Sequence, residues 1–262
     1  MKKAIVSLLL ILVLFGTISL VACGPTETRT NAFSVGSSPS VEVKVGNGNV
    51  SLVVGPEGEI TVTAELQNPE QVEYQVSQDG DSITVDAKTR SGSRADVTVT
   101  MPGNTEFRLS TGNGNVDAVS VQASGAVNVG NGSIVLDGVR GHVFGNVGNG
   151  NITLSDAAGA FNLNVGNGNI EFQGELTPGG ESRFNVGNGS VMMALPGSPK
   201  GGIIPSVTLD LEVEQDGKVR CDWPVTVQEQ AEQRLVGTMG DGEAALTVRT
   251  GNGNITIAQA TH

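Results

Sequence analysis

Cysteine, histidine and aromatic side chains are scarce in this chain, which has two Cys, two His, one Trp, one Tyr and seven Phe among 262 residues. Each shortage removes a class of chemistry. His142 and His262 are too few and too scattered to build a metal cluster or a Ser-His-Asp relay. Two cysteines, Cys23 and Cys221, cannot form a disulfide framework, and Cys221 is expected as a small buried hydrophobe. Tyr74 and Trp223 are the only rings with polar edges, thin material for a sugar-stacking platform, and Trp223 reads as core. Basic residues are also few, 15 Lys and Arg against 27 Asp and Glu, for a net charge of −12. No basic run offsets this, so the folded surface lacks what nucleic acid or an anionic lipid face would need. No motif calls for a cofactor.

One long apolar run exists, at residues 4–22, directly after Lys2 and Lys3. It ends Leu20-Val21-Ala22-Cys23 and is followed by a polar stretch. The layout resembles a bacterial lipoprotein signal peptide. That resemblance implies removal of residues 1–22, acylation of Cys23 and attachment to a membrane through the lipid. Two acyl chains, at about 0.8 kcal/mol per buried CH₂, suffice for stable anchoring. The competing reading is an uncleaved anchor, since 19 apolar residues just span a bilayer. Either way the remainder lies outside the cytoplasm, in the cell envelope. Losing Lys2 and Lys3 moves the net charge from −12 to −14. Residues 23–40, rich in Gly, Pro, Ser and Thr, read as a lipidated flexible tether spanning roughly 20–25 Å.

Glycine, by contrast, is abundant at 37 residues, and much of it belongs to a repeat. The string [VT]-G-N-G-[NS]-[IV] begins at Val45, Thr111, Val129, Val147, Val165, Val186 and Thr250. From Thr111 to Val186 the spacings are 18, 18, 18 and 21 residues. A fixed period marks stacked units. One column reads Leu109, Val127, Gly145, Leu163, Phe184; another reads Val116, Ile134, Ile152, Ile170, Val191; a third reads Ala118, Leu136, Leu154, Phe172, Met193. These period-2 apolar pairs flank a Gly-Asn-Gly corner, so each unit holds two short strands with one apolar face.

Two stackings compete. In an antiparallel meander each Asn-Gly closes a hairpin, and Val45 would face Val50. That arrangement leaves the preceding glycine (Gly46, Gly130, Gly148) without a purpose. Column identity at fixed period is what a parallel ladder requires, so the fold class expected is all-β, a right-handed parallel β-solenoid over residues 41–262 with coils of about 18 residues and irregular end coils. Asn128, Asn146, Asn164 and Asn185 form one polar column; Asn113, Asn131, Asn149, Asn167 and Asn188 form a second; Asn115, Ser133, Asn151, Asn169 and Ser190 form a third. Amide ladders are the expected role. A calcium-binding roll of similar period would need an aspartate where Asn or Ser stands here.

The period fails in three places. Residues 55–110 alternate like strands but lack the motif, and fit either coils of about 22 residues or a cap of hairpins. Residues 174–182 carry three extra residues, expected as a protruding loop, and 197–205 interrupt the repeat before alternation resumes. These two breaks are where a function is first sought.

The order of three segments carries a family resemblance: VEVKVGNGNVSLVVGPEGEITVTAEL, ADVTVTMPGNTEFRLSTGNGNV and LVGTMGDGEAALTVRTGNGNITI. They resemble the bacterial putative-adhesin domain family, a β-helical repeat domain of unknown function, over roughly residues 40–258. The resemblance implies display at a surface and transfers no catalytic residue.

Candidate chemistry is sparse. Asp210, Glu212 and Glu214 share a strand face and read as a solvated acidic edge. Asp137 aligns with Val119, Ser155 and Gln173, and Asp117 lies three coils from Glu171, so no paired carboxylates of the glycosidase kind form. The sequence therefore points to a non-enzymatic envelope lipoprotein serving surface adhesion or envelope interaction, with a glycan or an envelope protein as partner. An envelope sensor or scaffold bound to another membrane protein is the first alternative, and a carbohydrate-active β-helix enzyme the second. Cys23, as the lipidation site, is the one site residue assigned.

Overall fold

The computed structural model describes residues 24–197 and 204–260. The leader, Cys23 and His262 lie outside the described residues, as does most of the break at 197–205. Within them the chain is all β apart from one 3-10 turn at Pro69–Gln71. No helix among the described residues is long and apolar enough to cross a membrane.

The strands before and after each corner stack in parallel, each residue beside its counterpart in the next repeat. Val129 pairs with Thr111 on one side and Val147 on the other, and Ile152 lies between Ile134 and Ile170. The hairpin alternative is thereby excluded. The stack also extends beyond the regular block. Val45 pairs with Thr111 across a 66-residue gap, and Val186 pairs with Thr250 across 64 residues, so all seven motifs form one continuous ladder.

Two inward columns build the core. One runs Val85, Val43, Leu109, Val127, Gly145, Leu163, Phe184, Val248, Leu211. The other runs Val97, Val50, Val116, Ile134, Ile152, Ile170, Val191, Ile255, Val219. Nearly all members are buried. Where the motif has Thr for Val, the buried hydroxyl is satisfied: Thr111 donates to the Gly48 carbonyl and Thr250 to that of Gly189, both at 2.8 Å.

The corner needs glycine for two separate reasons. Gly150 holds φ at +140°, a region side chains rarely enter. Gly148 has no such φ, but a β-carbon there would lie 2.5 Å from the Gly130 carbonyl oxygen one coil back. The first glycine therefore serves close approach and the second serves the bend.

The irregular segments cap the ends. Between the first two motifs, Ser82–Thr89 and Arg94–Met101 lie parallel to the first coil, and antiparallel strands Val72–Asp79 and Glu59–Gln67 flank them. Ser82–Thr89 and Arg94–Met101 thus form one further parallel coil, and the antiparallel strands Val72–Asp79 and Glu59–Gln67 cap it, so the segment combines the two expected arrangements. At the far end Val207–Val213 and Val219–Cys221 run parallel to the last coil, with Arg234–Met239 and Thr226–Ala231 antiparallel beyond. Such closure shields strand edges that would otherwise recruit other chains.

Two expectations need correction. The composition of residues 23–40 predicts a flexible tether, but Thr26–Ser34 forms a nine-residue strand paired antiparallel with Glu59–Gln67. Its Phe33 packs against the core, which gives this strand a reason to dock. The loop expected to protrude at 174–182 is a short turn after Ile170–Leu176, tied down by Thr177 N–H to the Gly159 carbonyl and Gly179 N–H to that of Glu243.

Candidate functional site

The strands that precede the corners form a flank whose outward columns face solvent. On this flank Asn146 donates its side-chain N–H to Asn128, Asn164 to Asn146 and Asn185 to Asn164, each at 2.9 Å. All point the same way along the stack. Asn146 donates once and accepts once, which leaves a second N–H and a second lone pair for solvent or a ligand, whereas Asn164 spends its second N–H on the Asn162 side-chain oxygen at 3.4 Å, and Asn128 and Asn185 at the ends make one ladder bond each. Beside the ladder runs the exposed backbone of the first corner glycines. Together they form a shallow groove of about 930 Å³ that follows the stack from Ser110 to Arg249.

The second Asn column is an unbroken ladder as well, from Asn252 through Asn188, Asn167, Asn149, Asn131 and Asn113 to Asn47, with bonds of 2.7–3.0 Å. The third uses its side-chain oxygens differently. Asn49 accepts from the Asn115 backbone N–H, Asn115 from Ser133, and Asn151 from Asn169. Both serve the corner, and only the first column borders the groove.

At the C-terminal end the ladder meets a charge cluster. Arg249, next in the column, pairs with Asp210 and Glu212, and Arg234 reaches Glu212 at 2.9 Å, Glu229 at 3.1 Å and Asp210 at 3.4 Å. Hydrogen bonding to Glu229 holds the Arg234 guanidinium above its ordinary range. The acidic edge inferred from the sequence is thus closed by two arginines from strands distant in sequence. Glu214 stays exposed at the groove's end.

One aromatic ring stands in the open on this flank. Phe144 is 54% exposed, while its neighbour Gly145 occupies the inward column where other coils carry Leu109, Val127, Leu163 and Phe184. In the outward column Phe144 lies between Ala126 and Asn162, with Arg108 and Arg183 two coils away on either side. Two cavities flank the ring. The larger, about 460 Å³, is lined by Glu42, Glu106, Arg108, Ala126, His142 and Phe144 among others. The smaller, about 100 Å³, lies toward Asn162 and Arg183.

Other residues singled out from the sequence lie apart. Asp117 is half-buried, and burial pushes its carboxyl up, but Val135 and Thr153 separate it from Glu171 in the column. Cys221 is free and only partly buried, because it ends the inward column after Ile257; burial pushes its thiol up. Trp223 is buried, its indole N–H donating to the Ala258 carbonyl at 3.0 Å. Tyr74 sits in the N-terminal cap, its ring 5.8 Å from the Arg29 guanidinium and its hydroxyl buried without a hydrogen bond. No group of three His, Cys, Asp or Glu able to hold a metal occurs among the described residues. Period-2 counting from the inward Val143 and Gly145 would have placed Phe144 outside, so its signal was in the sequence.

These features define a repeat-built all-β domain with amide ladders along its corners and one flank. The chain belongs to the Toastrack DUF4097 family, whose model matches residues 40–258. Among solved structures it is similar to a "putative cell adhesion protein" from Clostridium sporogenes, at 13% identity and a TM-score of 0.38, covering 89% of this chain and 100% of that one. It is also similar to a "putative adhesin" from Bacteroides fragilis, at 11% identity and a TM-score of 0.43, covering 88% and 97%. A further likeness is to a "putative lipid binding protein" from Parabacteroides distasonis, at 8% identity and a TM-score of 0.24, covering 87% and 96%. No curated protein matches the chain.

Proposed function

We propose that this chain is a non-catalytic cell-envelope lipoprotein, held to the membrane by acyl chains on Cys23, that displays a rigid solenoid for surface adhesion or envelope interaction. In this reading the solenoid is right-handed, as parallel crossovers almost always are, with regular coils of about 18 residues. The observation that carries the proposal is the groove beside the Asn128–Asn185 ladder, where side-chain amides with spare lone pairs repeat at the strand spacing, about 4.8 Å. A rigid periodic polar surface suits recognition of a repeating partner, and its donors need no reorganisation on binding.

The test has two arms. Cys23→Ala should move the protein from the membrane fraction to the soluble one, and the wild-type chain in detergent should bind isolated cell envelopes saturably. A Cys23→Ala protein that stays in membranes would overturn the lipid anchor. Release of new reducing ends from envelope polysaccharide would overturn the non-catalytic reading.

A further inference from the structure

We propose that the cavity over Ala126, between Phe144 and the Glu106–Arg108 pair, is a subsite for one pyranose ring of a neutral polysaccharide. This inference rests on the envelope-interaction reading above and names the chemistry of the partner.

The first observation is an inversion. In the coil of Phe144 the large side chain points outward and glycine takes the inward place. The core closes over Gly145 because Leu163 and the δ-methyls of Ile134 and Ile152 come within 3.0–3.7 Å of where its β-carbon would be. With the inward place closed in this way, the coil's large apolar side chain is left outside, and the exposed phenyl face stands at the edge of the cavity.

The second observation is an ion pair left open. Acid and base two residues apart on one strand recur in this protein, and Glu27–Arg29, Glu42–Lys44, Asp86–Lys88, Arg94–Asp96 and Glu181–Arg183 are all closed, at 2.7–3.7 Å. Glu106 and Arg108 have the same spacing and face, yet they form no ion pair with each other or with any other described residue. Both line the larger cavity. A free carboxylate and a free guanidinium side by side supply acceptors and donors together.

Charge selects among ligands. A uronate, sulfate or phosphate entering this cavity would meet Arg108 but also Glu42 and Glu106. A neutral sugar hydroxyl can donate to a carboxylate and accept from a guanidinium at once, so it satisfies both. The C–H face of a pyranose ring is weakly positive and suits the negative face of the Phe144 ring. The volume of about 460 Å³ holds a sugar ring with room for its linkages. An extended peptide along the stack repeats every two residues, about 6.6–6.8 Å, out of step with coils about 4.8 Å apart. Ala126 as floor keeps the approach to Phe144 open from this side.

The experiment is calorimetric titration of the full chain in detergent with cellohexaose, chitohexaose and mannohexaose, and with polygalacturonate as the anionic comparison. At least one neutral hexamer should bind. Phe144→Ala should weaken it about tenfold or more with an unchanged melting temperature, and Phe144→Trp should restore binding. Arg108→Ala should weaken it several-fold, and Met192→Ala, exposed on the opposite flank, should not. Failure of all three neutral hexamers to bind overturns the proposal, as does equal binding by Phe144→Ala or tighter binding of polygalacturonate. Envelope binding measured on the same preparation separates the two readings. If envelopes bind but no hexamer does, and protease treatment of the envelopes abolishes binding, the partner is a protein and only the sugar subsite falls. If envelopes do not bind either, both readings fall.

Discussion

A β-carbon on Gly130 would lie 2.4 Å from the carbonyl oxygen of Gly112, its counterpart one coil back. That distance is shorter than any unstrained contact, and the obstacle is backbone, which cannot swing aside. The same clash, at 2.5–2.6 Å, awaits a side chain at Gly112, Gly148, Gly166, Gly187 and Gly251. The first glycine of the motif is therefore a packing residue, and the close backbone approach it permits leaves the flat floor of the groove.

Gly130→Ala should accordingly destabilise the stack by about 1–3 kcal/mol, as overpacking does, and lower the melting temperature by roughly 2–4 °C per kcal/mol. Gly103→Ala is the control. Its β-carbon would meet only a Val54 methyl at 3.7 Å, so its effect should stay within about 0.5 kcal/mol. Thermal melts of the two variants compare them directly, and equal melting temperatures would refute the packing role.

Ile152 tests the register. It is fully buried between Ile134 and Ile170, so Ile152→Ala should lower stability by about 2–5 kcal/mol. Because coils interact chiefly with their neighbours, amide exchange should rise first in the coils of Ile134 and Ile170 and least in the end caps. An urea midpoint equal to wild type would show that Ile152 is not in a stacked column.

Tyr74 makes stability depend on alkaline pH. Burial pushes its hydroxyl up to about 12, with the Arg29 charge acting weakly the other way. The neutral phenol is the form the fold prefers, so its stabilisation is complete below pH 10 and is lost as pH rises toward 12. The full loss is about 2–3 kcal/mol. Tyr74→Phe should remove this part of the alkaline decline. At pH 7 it should be neutral or slightly stabilising, because the hydroxyl is buried without a partner. Urea midpoints of both proteins from pH 7 to 12 measure the difference, and parallel curves would count against the assignment.

The regular block was legible in advance because a parallel ladder imposes identity at fixed spacing. The columns through Leu109 and through Val116, and all three Asn columns, could be read from residue type alone. Thr26–Ser34 is not legible as a strand because Gly, Pro, Ser and Thr around it resemble a linker, and its pairing with Glu59–Gln67 is set by a partner far along the chain. The lost period near 174–182 and 197–205 points to those breaks as the first place for a function. The exposed ring instead stands within the regular coils, at Phe144. Its outward direction follows from period-2 counting, but a phenyl ring carries no polar edge to mark it as a binding residue. That Glu106 and Arg108 stay apart, while five similar pairs close, depends on side-chain positions that no spacing rule supplies.

Local pattern was enough for the corners, the ladders and the all-β class, since each follows from side chains repeating along a strand. Only the folded chain decided that Val45 rests on Thr111 and Val186 on Thr250. Loop-closure entropy rises only slowly with length, so insertions of this size leave the ladder intact when they fold onto its ends. Their length hides the neighbours from sequence, and the same insertions supply the caps and the arginine-bridged acidic edge.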